Sequence, residues 1–506
     1  MLIWFVVLYL LVSVGIGLYA ATRVHNTKDY AVAGRSLPLY VVTATVFATW
    51  FGAETVLGIS ATFTKEGLKG VISDPFGSSM CLILVGLFFA RKLYRMNLLT
   101  IGDYYRARYN RTVEVLTSLC IVASYLGWVS AQITALGLVF SVLAQGAISP
   151  AEGMLIGAAI VLAYTLFGGM WSVAMTDFFQ MIIIVLGMLY IGYVISGLAG
   201  GAGVVLKHAA DAGKFEFWPA LSTRDVLAFV AAWVTMMFGS IPQQDVFQRV
   251  MSARNENTAV RGAIAGGSLY FLFAFIPMFL AYSATLIDPD MVQKLIGDDP
   301  QHILPSLILN HTPIFAQVMF FGALLSAIMS TASGTLLAPS VTFTENILKG
   351  MFREMSDRRF LLTIRIVVVC FAAIVTLFAL NSSSSIFKMV ENAYKVTLVA
   401  AFIPLIAGLY WKRANTQGAL FAITFGLGSW LLLEIFQPEG LWPPQLAGLL
   451  MSAGGMVIGS LSPHFVGRPT PLPPAHETLH HHAAAQTEHV PEHPHHHPLA
   501  RNEQKT

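Results

Sequence analysis

Apolar runs of about 20 residues recur along this chain, each long enough to carry a helix across a hydrocarbon core roughly 30 Å thick. Inside such a core no water can satisfy a backbone N–H or C=O. A long run without strand-like alternation must therefore be helical. Thirteen spans are expected, at residues 2–21, 38–64, 71–90, 113–146, 152–168, 176–199, 225–248, 262–286, 308–343, 361–381, 387–411, 416–436 and 443–462. The two longest are expected to tilt or to reach beyond the hydrocarbon. Composition agrees: 56% of residues are hydrophobic and only 11% charged, less than half the charge of a typical soluble protein. The first span lacks the basic start and short apolar core of a signal peptide. Cys81, Cys120 and Cys370 lie in apolar runs, which excludes a disulfide framework.

Basic residues fall on alternate loops. Arg23, Lys28 and Arg35 follow span one, and Arg91, Lys92, Arg95, Arg106, Arg108 and Arg111 follow span three. Arg249, Arg254 and Arg261 follow span seven, and Lys349, Arg353, Arg358 and Arg359 follow span nine. Arg365, Lys412 and Arg413 complete that side, while the other loops hold only Lys65, Lys69, Lys207, Lys214, Arg224 and Lys294. The positive-inside rule then puts the amino terminus outside and the carboxyl terminus in the cytoplasm, across a plasma (inner) membrane. A net charge of +3 gives no reason to expect nucleic acid. The expected partners are the bilayer and a small solute, and a homo-oligomer is compatible with the pattern. Residues 1–463 read as one thirteen-helix transporter domain. Residues 464–506, rich in His and Pro, read as a disordered cytoplasmic tail. Such a His tract has the chemistry to bind a transition metal, although a solvated tail is the plainer reading.

Two spans are interrupted. Span two reads TATVFATWFGAETVLG, with Gly52 and Ala53 beside Glu54; span seven reads WVTMMFGSIPQQDVFQ, with Pro242 followed by Gln243, Gln244 and Asp245. Membrane helices break only beside a cavity or another part of the protein. The two breaks lie five spans apart, which points to an inverted repeat (core halves about 38–199 and 225–411) with a binding site at the bilayer midplane. Softened packing helices are the alternative. Span nine carries LLSAIMSTASGT, where Ser330 and Thr331 lie one turn beyond Ala327. That spacing turns a carbonyl and two hydroxyls to one side, a ligand set for a hard cation such as sodium. The same hydroxyls would equally serve as hydrogen bonds across a helix interface.

Three motifs in order then carry a resemblance: GGMWSVAMTDFFQ at 168–180, FGSIPQQDVFQRVMSA at 238–253 and FGALLSAIMSTASG at 321–334. The chain resembles the sodium:solute symporter family over about residues 1–465. Within it, the chain is similar to the high-affinity choline transporters through FATW at 47–50, GLFFARKL at 86–93 and WKRANTQGA at 411–419. The resemblance implies an all-α membrane fold, the leucine-transporter-type 5+5 inverted repeat. It implies a sodium site made by carbonyls of Ala48 and Phe51, the carbonyl of Ala327, and the hydroxyls of Ser330 and Thr331. Asp177, Ser330 and Ser333 match a second sodium site of some members, with Gly334 where a serine is expected. Trp50 and Trp128 resemble two walls of an aromatic cage for a quaternary ammonium. Gln243 stands where a third tryptophan would be, and Ser78 replaces a tyrosine.

With Glu54 and Asp74 close by in sequence, and Gln243 and Gln244 in the second break, the half-cage suits a more polar solute. Glu54 is also open to a structural role, paired with a basic group. The expected function is sodium-coupled symport, importing a small polar organic solute by alternating access, with sodium as the co-transported ion. The alternatives are a same-fold carrier of choline-like quaternary amines and a transporter-like solute sensor, for which the roughly 40 residues after the last span are too few to form a kinase. No nucleophile elbow or phosphate-cradling loop suggests an enzyme.

Overall fold

The computed structural model describes residues 1–352 and 354–464. The expected His-rich tail and Arg353 lie outside the described residues. Among those described, the chain is helical throughout, and the one β-bridge, between Leu37 and Ala253, is isolated. Nine helices are long and apolar enough to cross a membrane by themselves, from Leu2–Arg23 to Pro444–Leu461. The remaining expected spans are folded or broken.

Spans five and six form one helical run, Pro150–Leu198, of 49 residues. Unbent, it would be about 73 Å long, more than twice the hydrocarbon thickness. It folds back at Gly168–Gly169. Residues eight apart in a straight helix are about 12 Å apart, yet Ser172 Oγ donates to the Tyr164 carbonyl at 2.5 Å. Gly169 makes the reversal with φ +51 and ψ −132, and a Cβ there would lie 2.5 Å from the Tyr30 carbonyl oxygen.

Span two is Leu39–Ala48, a break, and a second helical segment from 54 to 66. Span seven is Thr223–Gly239 followed, after a 46° bend, by Gln244–Met251. The sequence reading expected span eleven to be one helix. It is instead Ile386–Ala400 and Phe402–Tyr410, bent by 45°. Pro404 has no N–H to offer the carbonyl four residues back. The carbonyls around the bend are taken by tyrosines of the short helix Ile101–Arg108 and its end: Tyr105 donates to Ala401 O at 2.7 Å and Tyr109 to Pro404 O at 2.5 Å.

Span nine, Ile314–Leu348, runs through the centre, with every residue from Ala323 to Thr342 buried. It contacts spans four to six and, across the breaks, spans two and seven. The large exposed apolar side chains lie on outer helices, among them Leu8, Leu186, Leu272 and Leu432, as a lipid-facing surface requires. The three cysteines are unpaired. One charge assignment changes. Arg249 does not belong to a solvated loop but is wholly buried, between Asp177 and Asp245.

Gly169→Ala puts a Cβ into a left-handed backbone against the Tyr30 carbonyl. It is expected to cost about 1–3 kcal/mol and to lower the melting temperature of detergent-purified protein. A wild-type melting temperature would remove the hairpin's dependence on that conformation.

Candidate functional site

Unwinding a helix inside the protein frees backbone groups, and partners for those groups shape the first break. Ala53 N–H donates to Gln132 Oε1 of span four at 3.0 Å, and Thr55 Oγ1 caps the Trp50 carbonyl at 2.8 Å. Gly52 touches Thr331 so closely that a Cβ would overlap the Thr331 hydroxyl. On that side the Ala48 carbonyl oxygen lies 3.4 Å from Ser330 Oγ and 3.3 Å from Thr331 Oγ1. Three of the five oxygens expected at the sodium site are thus gathered at one point between spans two and nine. Phe51 and Ala327, which carry the other two carbonyls, are fully buried in the same two spans.

Asp177 stands behind this group, accepting from Ser330 Oγ at 2.9 Å and from Thr45 Oγ1 at 2.6 Å. Ser333 turns its hydroxyl back to its own helix, donating to Ser330 O at 3.0 Å.

On the other side of the break is an aromatic cluster. The Trp50 ring centroid lies 6.5 Å from Trp128, 6.4 Å from Tyr270 and 6.3 Å from Tyr394, and Trp128 lies 5.2 Å from Tyr394. Tyr125 stacks on Trp128 at 5.6 Å. Two carboxylates border the rings. Glu54 Oε2 accepts from Gln132 Nε2 at 2.6 Å, while its Oε1 has no protein partner. Asp74 Oδ1 accepts from Ser78 Oγ and from Tyr270 OH, each at 2.5 Å, and its Oδ2 is likewise unpartnered. Tyr270 OH also meets Thr55 Oγ1 at 3.1 Å, tying the Asp74 turn to the first break. The indole N–H of Trp50 and the Tyr394 hydroxyl have no protein partner either, and the Trp128 indole faces Glu54. Buried polar atoms without a partner call for an explanation, and these lie among the rings and carboxylates.

Ser78, expected to replace a tyrosine of the cage, bonds Asp74, and tyrosines of spans eight and eleven, Tyr270 and Tyr394, pack against Trp50. Glu54 has no Lys or Arg at ion-pair distance among the described residues; its partner is the neutral Gln132. Gln243 lies a helical turn from the rings, donating to Ser124 Oγ at 3.2 Å and to Thr397 Oγ1 at 3.1 Å. Gln244 turns away from them, its Oε1 accepting from Ile101 N–H at 2.8 Å. Sequence reading missed Gln132, Tyr270 and Tyr394, since a tyrosine or glutamine in a span carries no motif of its own.

A cavity of about 400 Å³ is lined by Gly58, one turn beyond Glu54, and by Lys65, Glu66, Lys69, Lys388 and Glu391 among others. Ser73, next to Asp74, donates to Glu391 at 3.3 Å.

Comparison with known proteins follows the same lines. The model of the sodium:solute symporter family matches residues 30–426. The high affinity choline transporter 1 of Homo sapiens is 29% identical over 452 residues, covering 84% of this chain and 75% of the human protein. A sodium/glucose cotransporter of Vibrio parahaemolyticus is 24% identical, covering 85% of this chain and 84% of its own. Among solved structures, the substrate-bound outward-open state of a Na+-coupled sialic acid symporter superposes with a TM-score of 0.79 at 20% identity, covering 93% of this chain and 99% of that one. The fold is therefore the leucine-transporter type.

Tyr270→Phe deletes the hydroxyl shared by Asp74 and Thr55. A loss of about 1–3 kcal/mol is expected, read as a lower melting temperature in detergent. An unchanged value would mean that the Asp74 turn holds without it.

Proposed function

This chain belongs to the sodium:solute symporter family, a transporter and not an enzyme, and from that premise we propose how its residues divide the work of import. Sodium is bound as cargo by the carbonyls of Ala48, Phe51 and Ala327 with the hydroxyls of Ser330 and Thr331. Ligands from the break of span two and from span nine make sodium binding favour one arrangement of these elements over another. The solute is bound by Trp50, Trp128, Tyr270 and Tyr394, with Glu54 and Asp74. Because the Gly52 break lies between the two sites, ordering it for one ligand orders it for the other. By linkage, each then raises affinity for its partner.

The observation that carries the substrate class is the pairing of four rings with two buried carboxylates, each keeping one oxygen free. Buried negative charge without a counter-charge is costly, and ring faces attract a cation. A small polar organic solute bearing a positively charged nitrogen satisfies both. We favour an amine or quaternary ammonium over a sugar or a carboxylate. The solute enters through the cavity lined by Lys65, Glu66 and Glu391 and passes the Ser73–Glu391 contact, and the loop charges orient that mouth outward.

Proteoliposomes test this directly. Uptake of radiolabelled choline should require an inward sodium gradient and be competed by other organic cations but not by glucose or acetate. Gradient-independent uptake would refute the coupling; competition by sugars alone would refute the solute class. Ser330→Ala or Thr331→Ala should raise the sodium concentration for half-maximal uptake roughly tenfold or more, the size of one lost polar contact to a charge. Trp128→Leu should instead raise the KM for the solute, by roughly tenfold, with sodium dependence retained.

A further inference from the structure

Behind the Ser330–Thr331 pair is a second cluster of oxygens, the Asp177 carboxylate with Thr45 and Ser333, which shares only Ser330 with the proposed sodium site. An acid and several hydroxyls buried against a sodium site form a natural seat for another hard cation. That seat already has an occupant. The wholly buried Arg249 guanidinium lies 3.6 Å from Asp177 Oδ2 through one nitrogen and 3.8 Å from Asp245 Oδ2 through another. Its Nε donates to Thr45 Oγ1 at 3.2 Å. Gly334 is what lets it in, because a Cβ at that position would overlap the guanidinium nitrogens. The Ser333 hydroxyl, one residue earlier, is committed to the Ser330 carbonyl rather than to Asp177.

We propose that Arg249 is a built-in cation that occupies the seat beside Asp177, so that the chain binds a single exchangeable sodium. An arginine stays charged at any physiological pH, so this positive charge cannot leave with the cargo. It also acts as a positioning residue. Through Asp177 it orients Ser330, a proposed sodium ligand. Through Asp245, which accepts from Tyr125 OH at 2.5 Å, it reaches the ring stacked on Trp128. The geometry explains why a buried arginine stands between two acids contributed by different spans. Removing one partner from such a set leaves an uncompensated charge.

The inference rests on the sodium site proposed above, and equilibrium binding of radioactive sodium to the purified full-length protein separates the two. One ion per chain with a Hill coefficient near one is the expected result. Two ions per wild-type chain would overturn the role of Arg249 while leaving sodium coupling intact; no saturable sodium binding would overturn the sodium site itself. Arg249→Gln frees Asp177 and should raise the reading to two ions per chain, and Arg249→Lys, which keeps the charge, should return it to one. An Arg249→Gln protein that binds one ion with unchanged affinity would also overturn the proposal. Should that variant fail to fold, the wild-type stoichiometry decides alone.

Discussion

A helix that stops inside a membrane protein must find new partners for every backbone group it releases, and the break at Trp50–Ala53 organises the molecule around that need. Gln132 takes the Ala53 N–H, Thr55 takes the Trp50 carbonyl, and the Ala48 carbonyl is left facing Ser330 and Thr331. Gly52 permits the approach because any side chain would meet Thr331. One short unwound segment thus presents oxygens on one face and the Trp50 ring on the other. On the proposed assignment, two ligands of different chemistry would meet at this one element, the arrangement that coupled transport requires.

Charge is distributed with similar economy. Four acids are buried near the breaks, Glu54, Asp74, Asp177 and Asp245, and one arginine is buried with them. Arg249 lies between Asp177 and Asp245. Glu54 and Asp74 are met by neutral donors, among them Gln132, Trp128, Ser78 and Tyr270. The region nearest the rings therefore keeps an electrostatic demand that a cationic solute would satisfy. Glu391, which lines the nearby cavity, accepts from Ser73, the neighbour of Asp74.

The span pattern, the two expected breaks and the hydroxyl pair of span nine were legible in the sequence because each depends on local properties. Apolar length sets a span. Gly and Pro mark where helical hydrogen bonds fail, and residues one turn apart share a face. Trp50 and Glu54 were legible for the same reason, lying on the break itself. The bend of span eleven at Pro404 was missed, because proline inside a span bends it only where other groups take the freed carbonyls. Here those groups are tyrosines some 300 residues away in sequence.

What the amino-acid order determined by itself is the class of molecule: a many-helix membrane protein with two broken spans and a hydroxyl-lined centre, since hydrophobicity and backbone satisfaction act along the chain. Tertiary structure alone decided the composition of the site. Tyr270 and Tyr394 pack against Trp50, Gln132 rather than a basic residue meets Glu54, and Arg249 leaves its apparent loop to sit between two buried acids. Apart from Arg249 with Asp245, one helical turn away, those pairings join residues tens to hundreds of positions apart. A side chain's partner in a low-dielectric interior depends on which helices cross there, and only packing determines that.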